Sequence, residues 1–168
     1  MRFQSCKRIL GVTVVGCCVL AALSMGVLAQ GGMMEKRDAV ADRQELMKNN
    51  GANFKDLQNK AKAGQFAAIA VNAQNIAISM RHVPMLFPKD SMGKPEQKSR
   101  AKPEIWQDWD GFIAAYEKAE HAAIDLMELT KDAEKTGVTA EQVEQGWKAL
   151  GGACKNCHDK FRVPEKKT

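Results

Sequence analysis

Cys154-Lys155-Asn156-Cys157-His158 is the stretch of this sequence in which residue types and spacing together point to covalent chemistry. Two cysteines at i and i+3 share one helical face. Their sulfurs can bond two neighbouring vinyl groups of a haem, and the histidine that follows can project its imidazole under the iron. This is the haem c attachment pattern. A thioether link holds the group without relying on affinity, and a neutral imidazole is an ordinary proximal ligand. One covalent haem c is therefore expected, attached at Cys154 and Cys157, with His158 on the metal. Two other uses of the cysteines stay open: a thiol-exchange pair without haem, and half of a zinc site. A closed zinc site normally takes four ligands, and only His82 and His121 remain as nitrogen donors.

The amino end bears on the compartment. Met1 to Arg8 carries Arg2, Lys7 and Arg8 without an acid, and Ile9 to Leu28 has no charged residue. This reads as an export signal over residues 1–29, cut near Val27-Leu28-Ala29, with residues 30–168 as the mature domain. Two rivals remain. The apolar run is long enough to stay as a membrane anchor, and Val14-Val15-Gly16-Cys17 loosely resembles a lipoprotein box. A periplasmic location is expected, or the periplasmic face of the inner membrane if the segment is kept.

Charge and cysteine use change once the leader is set aside. The chain carries 25 basic and 20 acidic residues, net +5. Three of the bases and none of the acids lie in the leader, so the basic balance is largely a targeting effect. No basic stripe with interleaved aromatics is left, which argues against nucleic-acid binding. Of five cysteines, Cys6, Cys17 and Cys18 lie in the leader as well.

The elements that must position the motif are helices. Four segments repeat apolar residues at spacings of three and four. Val40, Met47, Phe54, Leu57 and Ala61 form the first stripe, with Arg43 and Asn50 as polar exceptions. The second, from Gln65 to His82, carries Phe66, Ile69, Ala73, Ile76 and Met80, and Pro84 with Pro88 closes it. A Lys-, Ser-, Gly- and Pro-bearing connection, 89–102, is expected to wrap one end. Pro103 opens a third helix through Ile105, Trp109, Phe112, Tyr116, Ala119, Ala123 and Leu126, ended by Gly137. Thr139 and Gln142 cap a fourth. Its stripe, Val143, Trp147, Leu150, Cys154, Cys157 and Phe161, turns the cysteines inward. With 168 residues, 45% of them hydrophobic, the expectation is all-α: one antiparallel four-helix bundle built round a covalently bound haem c.

A haem c motif near the carboxyl end of such a bundle resembles the class II c-type cytochromes, the cytochrome c′ superfamily. Asp42-Arg43-Gln44-Glu45-Leu46-Met47-Lys48, Leu86-Phe87-Pro88, Ile105-Trp106 and Cys154 to Arg162 follow one another as in that family. The resemblance implies that the first helix crosses the distal haem face, that Arg43 and Gln44 approach the haem edge or propionates, and that Arg162 lies near the proximal imidazole. A propionate could satisfy Arg43 by charge-assisted hydrogen bonds; a side chain snorkelling to water is the alternative. The family holds high-spin members with an open sixth site and low-spin members with a first-helix Met on the iron. The matching residue here is Met47, and Glu45 to Gly51 looks like the low-spin branch. A Met at helical spacing is otherwise ordinary core filler.

The function expected is a one-electron carrier with Met47 and His158 on the iron, serving exported redox partner proteins. The alternatives are a five-coordinate protein that binds nitric oxide or carbon monoxide, and a haem-free thiol-exchange protein. An enzyme is not expected, since paired carboxylates, a nucleophile triad and a phosphate-binding loop are all missing from the sequence pattern. Homodimers are common in the resembling family, often through the first two helices, so a homodimer is a further expectation.

Overall fold

The computed structural model describes residues 38–94 and 97–164. The expected leader, residues 1–29, and the choice between cleavage and anchorage lie outside the described residues.

Local sequence sets the helix ends. Asp38 caps α1 (Ala39–Lys62), its carboxylate accepting from the backbone N–H of Val40 and Ala41 at 2.9 and 3.3 Å. A 3-10 turn, Phe66–Ala68, leads into α2 (Ile69–His82), and a second, Val83–Leu86, carries Pro84 where the helix stops. Helix α2 therefore begins four residues later than Gln65. After the connection come α3 (Glu104–Gln107), α4 (Trp109–Thr130), α5 (Ala133–Thr136) and α6 (Ala140–Phe161). The capping box of α6 is complete: Gln142 N–H donates to Thr139 Oγ1 at 3.2 Å, and Thr139 N–H to Gln142 Oε1 at 2.9 Å.

The third helix, expected to run unbroken from Pro103 to Gly137, is three pieces. Asp108 leaves the helical region (φ −124°, ψ 64°) and turns its carboxylate to the Gly111 N–H at 3.1 Å, ending α3 and capping α4. Asp132 restarts the chain as α5, and Gly137 at φ 66° closes it in the left-handed conformation. Periodicity hid the first break because the apolar spacing runs through it. Its cost is visible at Trp109, expected on the core stripe but 36% exposed.

The long helices α1, α2, α4 and α6 pack as a bundle: α1 against α2, α2 against α4, α4 against α6, with α1 and α6 touching only lightly. Leu57, Ile69, Ile76, Leu126, Val143 and Leu150 are fully buried between them. Two glycines let α6 come close to its neighbours. A Cβ on Gly146 would stand 2.9 Å from Leu126 Cδ1, and one on Gly151 would stand 2.9 Å from Phe54 Cζ. Leu126→Ala should therefore open a void under Gly146 and cost about 3 kcal/mol. Urea unfolding followed by circular dichroism checks this, and a change below about 1 kcal/mol would show that the α4–α6 seam relaxes to fill it.

Polar groups inside the bundle find partners between α1 and α2. Buried Asn72 donates to Asn53 and Asp56 and accepts from Lys60 at 2.7 Å. Asn50, a polar exception of the first stripe, accepts from Ser79 Oγ at 2.5 Å. Its Nδ2 is buried without a partner.

Candidate haem site between the first and last helices

The site lies where the bundle is loosest, between α1 and the end of α6. A cavity of about 270 Å³ opens there, its apolar wall formed by Met47, Phe87, Ile105, Phe112 and Phe161. Cys157 and His158 enter that wall from α6, and Arg43 and Gln44 from α1. Cys154 faces a neighbouring hollow with Phe54 and Gly151, and His158 and Arg162 line both. The motif thus straddles two hollows with the histidine between them. Of the six residues singled out in the sequence, five share the first cavity and Cys154 lies in the second.

Burial sets the chemistry of the thiols. Cys154 and Cys157 are unbridged. Burial pushes both thiols up, and Cys157, with Cys154 beside it, reaches about 11. They also stand in the last turns of α6, the end at which a helix disfavours negative charge. A thiol-exchange cysteine needs the reverse, a lowered pKa near a helix amino end. Neutral thiols suit addition of S–H across a vinyl double bond.

His158 is held neutral. Burial pushes its pKa down, and the Arg162 and Arg100 charges add to this against Asp159. Near neutral pH the imidazole keeps a lone pair for a metal.

Arg43 is 5% exposed and carries its charge among neutral partners. Its guanidinium donates to Ser99 Oγ at 2.8 Å, Ser91 Oγ at 3.2 Å, and the carbonyls of Leu86 and Met92 at 3.3 Å, and it lies 4.8 Å over the Phe87 ring. Gln44 donates to the carbonyls of Gln97 and Lys98 at 3.0 and 3.4 Å. Both side chains tie the 86–99 stretch to α1. Arg43 does not snorkel to water, and its bonds to this stretch are what allow it on an apolar stripe.

The same stretch then joins α6. Val163 N–H donates to the Arg100 carbonyl at 2.8 Å and Lys102 N–H to the Phe161 carbonyl at 3.0 Å, with an antiparallel bridge between Ala101 and Arg162. Lys102 Nζ reaches the Asp159 and Lys160 carbonyls, capping the helix end. The sequence reading foresaw a wrap around one end but missed that Lys98, Ser99 and Arg100 form cavity wall. The available signal was Arg43 itself, a buried cation that required acceptors from somewhere distant in sequence.

The remaining candidates lie elsewhere. His82 and His121 are exposed, Met80 is buried in the core, and Met85 is 66% exposed; none lines the cavity. Trp106 donates to the Phe87 and Pro88 carbonyls and Trp147 packs edge-on against Phe54, so these two brace the wall.

The donor set fits a haem. Two neutral thiols, a neutral imidazole, an apolar slot and cations at its rim match vinyl groups, iron, a flat macrocycle and two propionates. The chain matches the family profile described as Cytochrome C′ over residues 38–162. It is 36% identical to a cytochrome c′ of Pararhodospirillum photometricum, covering 71% of this chain and 92% of that protein. It is 31% identical to cytochrome c-556 of Rhodopseudomonas palustris, covering 83% and 92%. The solved cytochrome c′ from Rhodopseudomonas palustris superposes with a TM-score of 0.65 at 26% identity, over 78% of this chain and all of that one. The profile, the near-full-length relatives and the shared bundle place this chain in the cytochrome c′ family, four-helix-bundle proteins with one covalently bound haem c.

Proposed function

We propose that Cys154 and Cys157 hold the haem by thioether links, that His158 and Met47 stand on its two faces as iron ligands, and that the protein carries single electrons. The observation that carries this reading is Met47 in the wall of the cavity that His158 enters. Bound iron supplies the reversible one-electron couple. The chain supplies the rest: a neutral imidazole, a soft thioether that favours the reduced metal, and apolar walls that keep water away. Arg43 and Gln44 hold the stretch that closes the cavity and present donors toward the propionates. The leader supports export to the periplasm, where redox partner proteins would be met.

A second reading is favoured by the family match itself. High-spin, five-coordinate iron is usual among cytochromes c′, and in that case Met47 only crowds the distal face while nitric oxide or carbon monoxide enters. Absorption spectra of the ferric and ferrous holoprotein, with and without carbon monoxide, separate the two. A sharp ferrous spectrum that resists carbon monoxide supports the carrier; a broad high-spin spectrum that responds readily supports the gas binder.

Homodimers occur in the family, and α2 offers a surface for one. Val71 and Ile78, two turns apart, are 60% and 47% exposed, and Met85 follows in the next turn at 66%. A dimer seated on this stripe should dissociate in Ile78→Glu, read by sedimentation velocity. A native protein that is already monomeric would sink this assignment.

A further inference from the structure

The cavity wall contains four cations, Arg43, Lys98, Arg100 and Arg162, and no acid. Arg43 is buried, so the rim is set by exposed Lys98 and Arg162 and half-buried Arg100. Acids near this end are engaged: Asp159 pairs with Lys155, Asp108 with Lys160 at 2.6 Å, and Asp38 accepts from Gln97. Charge runs the other way along α4. Beyond Phe112, which lines the cavity, the helix carries Glu117, Glu120, Asp125 and Glu128 against Lys118. Each residue takes it about 1.5 Å farther along its axis. The molecule is therefore electrically polar, with its positive end around the cavity mouth.

Electron exchange between proteins requires the partner's redox centre to come close to the cofactor, and the cavity mouth is the approach. A field of several kT at such a mouth orients an incoming partner and sets which sign of surface it accepts. We propose that the rim of Lys98, Arg100 and Arg162 docks an electron-transfer protein whose own redox centre is ringed by carboxylates. This rests on the haem lying in the cavity, as proposed above.

Voltammetry of the holoprotein on gold coated with a carboxylate-terminated or an amine-terminated monolayer tests it. The carboxylate surface, a stand-in for the acidic partner, should give a current on the order of tenfold larger than the amine surface. The gain should fade as ionic strength rises from about 10 mM to about 150 mM, where screening shortens from roughly 30 to roughly 8 Å. Lys98→Glu/Arg100→Glu should lose the preference with its haem spectrum unchanged. Lys118→Glu/Lys131→Glu, the same change in net charge on α4 and just after it, should keep it. Equal currents on both surfaces, or equal effects of the two double variants, would overturn the docking site. So would equal currents accompanied by sedimentation with anionic phospholipid vesicles that only the rim variant loses, which would assign the rim to a membrane. A colourless native protein would instead remove the haem on which the proposal stands.

Discussion

Cys154→Ser/Cys157→Ser is expected to carry no covalent haem, and to be the variant that loses most. Haem-stained denaturing gels should go from a coloured band to none, while each single serine variant should retain one thioether and a shifted pyridine haemochrome band. Stability should fall together with colour. The α1–α6 seam is the weakest contact in the bundle, and Phe87, Ile105, Phe112 and Phe161 line a cavity rather than packing against a helix opposite. A group bound to the folded state at about a hundred times its dissociation constant contributes roughly 2.7 kcal/mol, and a covalent tether keeps it there through dilution. Removing both sulfurs should thus lower the midpoint of thermal unfolding, and the double variant should regain part of it when haem is added in excess. Retention of covalent haem in the double variant would exclude these sulfurs as its attachment. If instead the native protein is isolated colourless and catalyses thiol exchange, the raised thiol pKa values would have to be reversed by something outside this fold.

The parts of this arrangement that a sequence can show are those set by near neighbours. The attachment motif, the Thr139–Gln142 box and the stripe carrying Val143, Leu150 and Phe161 are local patterns, and the structure uses each of them as read. The break at Asp108 was not legible, because a side chain that caps its own successor, Gly111, interrupts the backbone without interrupting the apolar spacing. The cavity wall was half legible for a related reason. Met47 and Arg43 sit on a helical stripe, but Lys98, Ser99 and Arg100 belong to a connection with no period, and long-range bonds to Arg43, Gln44 and Val163 bring them to the site. Arg43 shows the same limit from the other side. Its place on an apolar stripe announced a special role, yet the oxygens that satisfy it lie 43 to 56 residues away.

Met47 is where the two functional readings part, and its replacement should change the iron rather than the fold. Helix α1 is fixed at one end by the Asp38 cap and the Arg43 bonds, and farther along by fully buried Leu57. Met47, one turn after Arg43, is held in the cavity wall whether or not it binds metal. Met47→Leu keeps an apolar side chain of similar volume and removes only the sulfur, so packing losses stay below about 1.5 kcal/mol. If Met47 is the sixth ligand, both Met47→Leu and Met47→Ala should convert a low-spin ferric spectrum to a high-spin or water-bound one, and the reduction potential should drop with loss of the thioether. The apparent affinity for carbon monoxide should rise as well. A sixth site open in only about 1% of molecules binds an incoming ligand about a hundredfold more weakly than an open one, and removing the sulfur restores that factor. Under the gas-binding reading the native iron is already five-coordinate. Met47→Leu should then leave spectrum and potential nearly as they were, and Met47→Ala should raise carbon monoxide affinity modestly by relieving crowding. The leucine variant is therefore the deciding one, because it separates the sulfur from the bulk: a spin change on Met47→Leu establishes the carrier, and an unchanged high-spin spectrum establishes the gas binder.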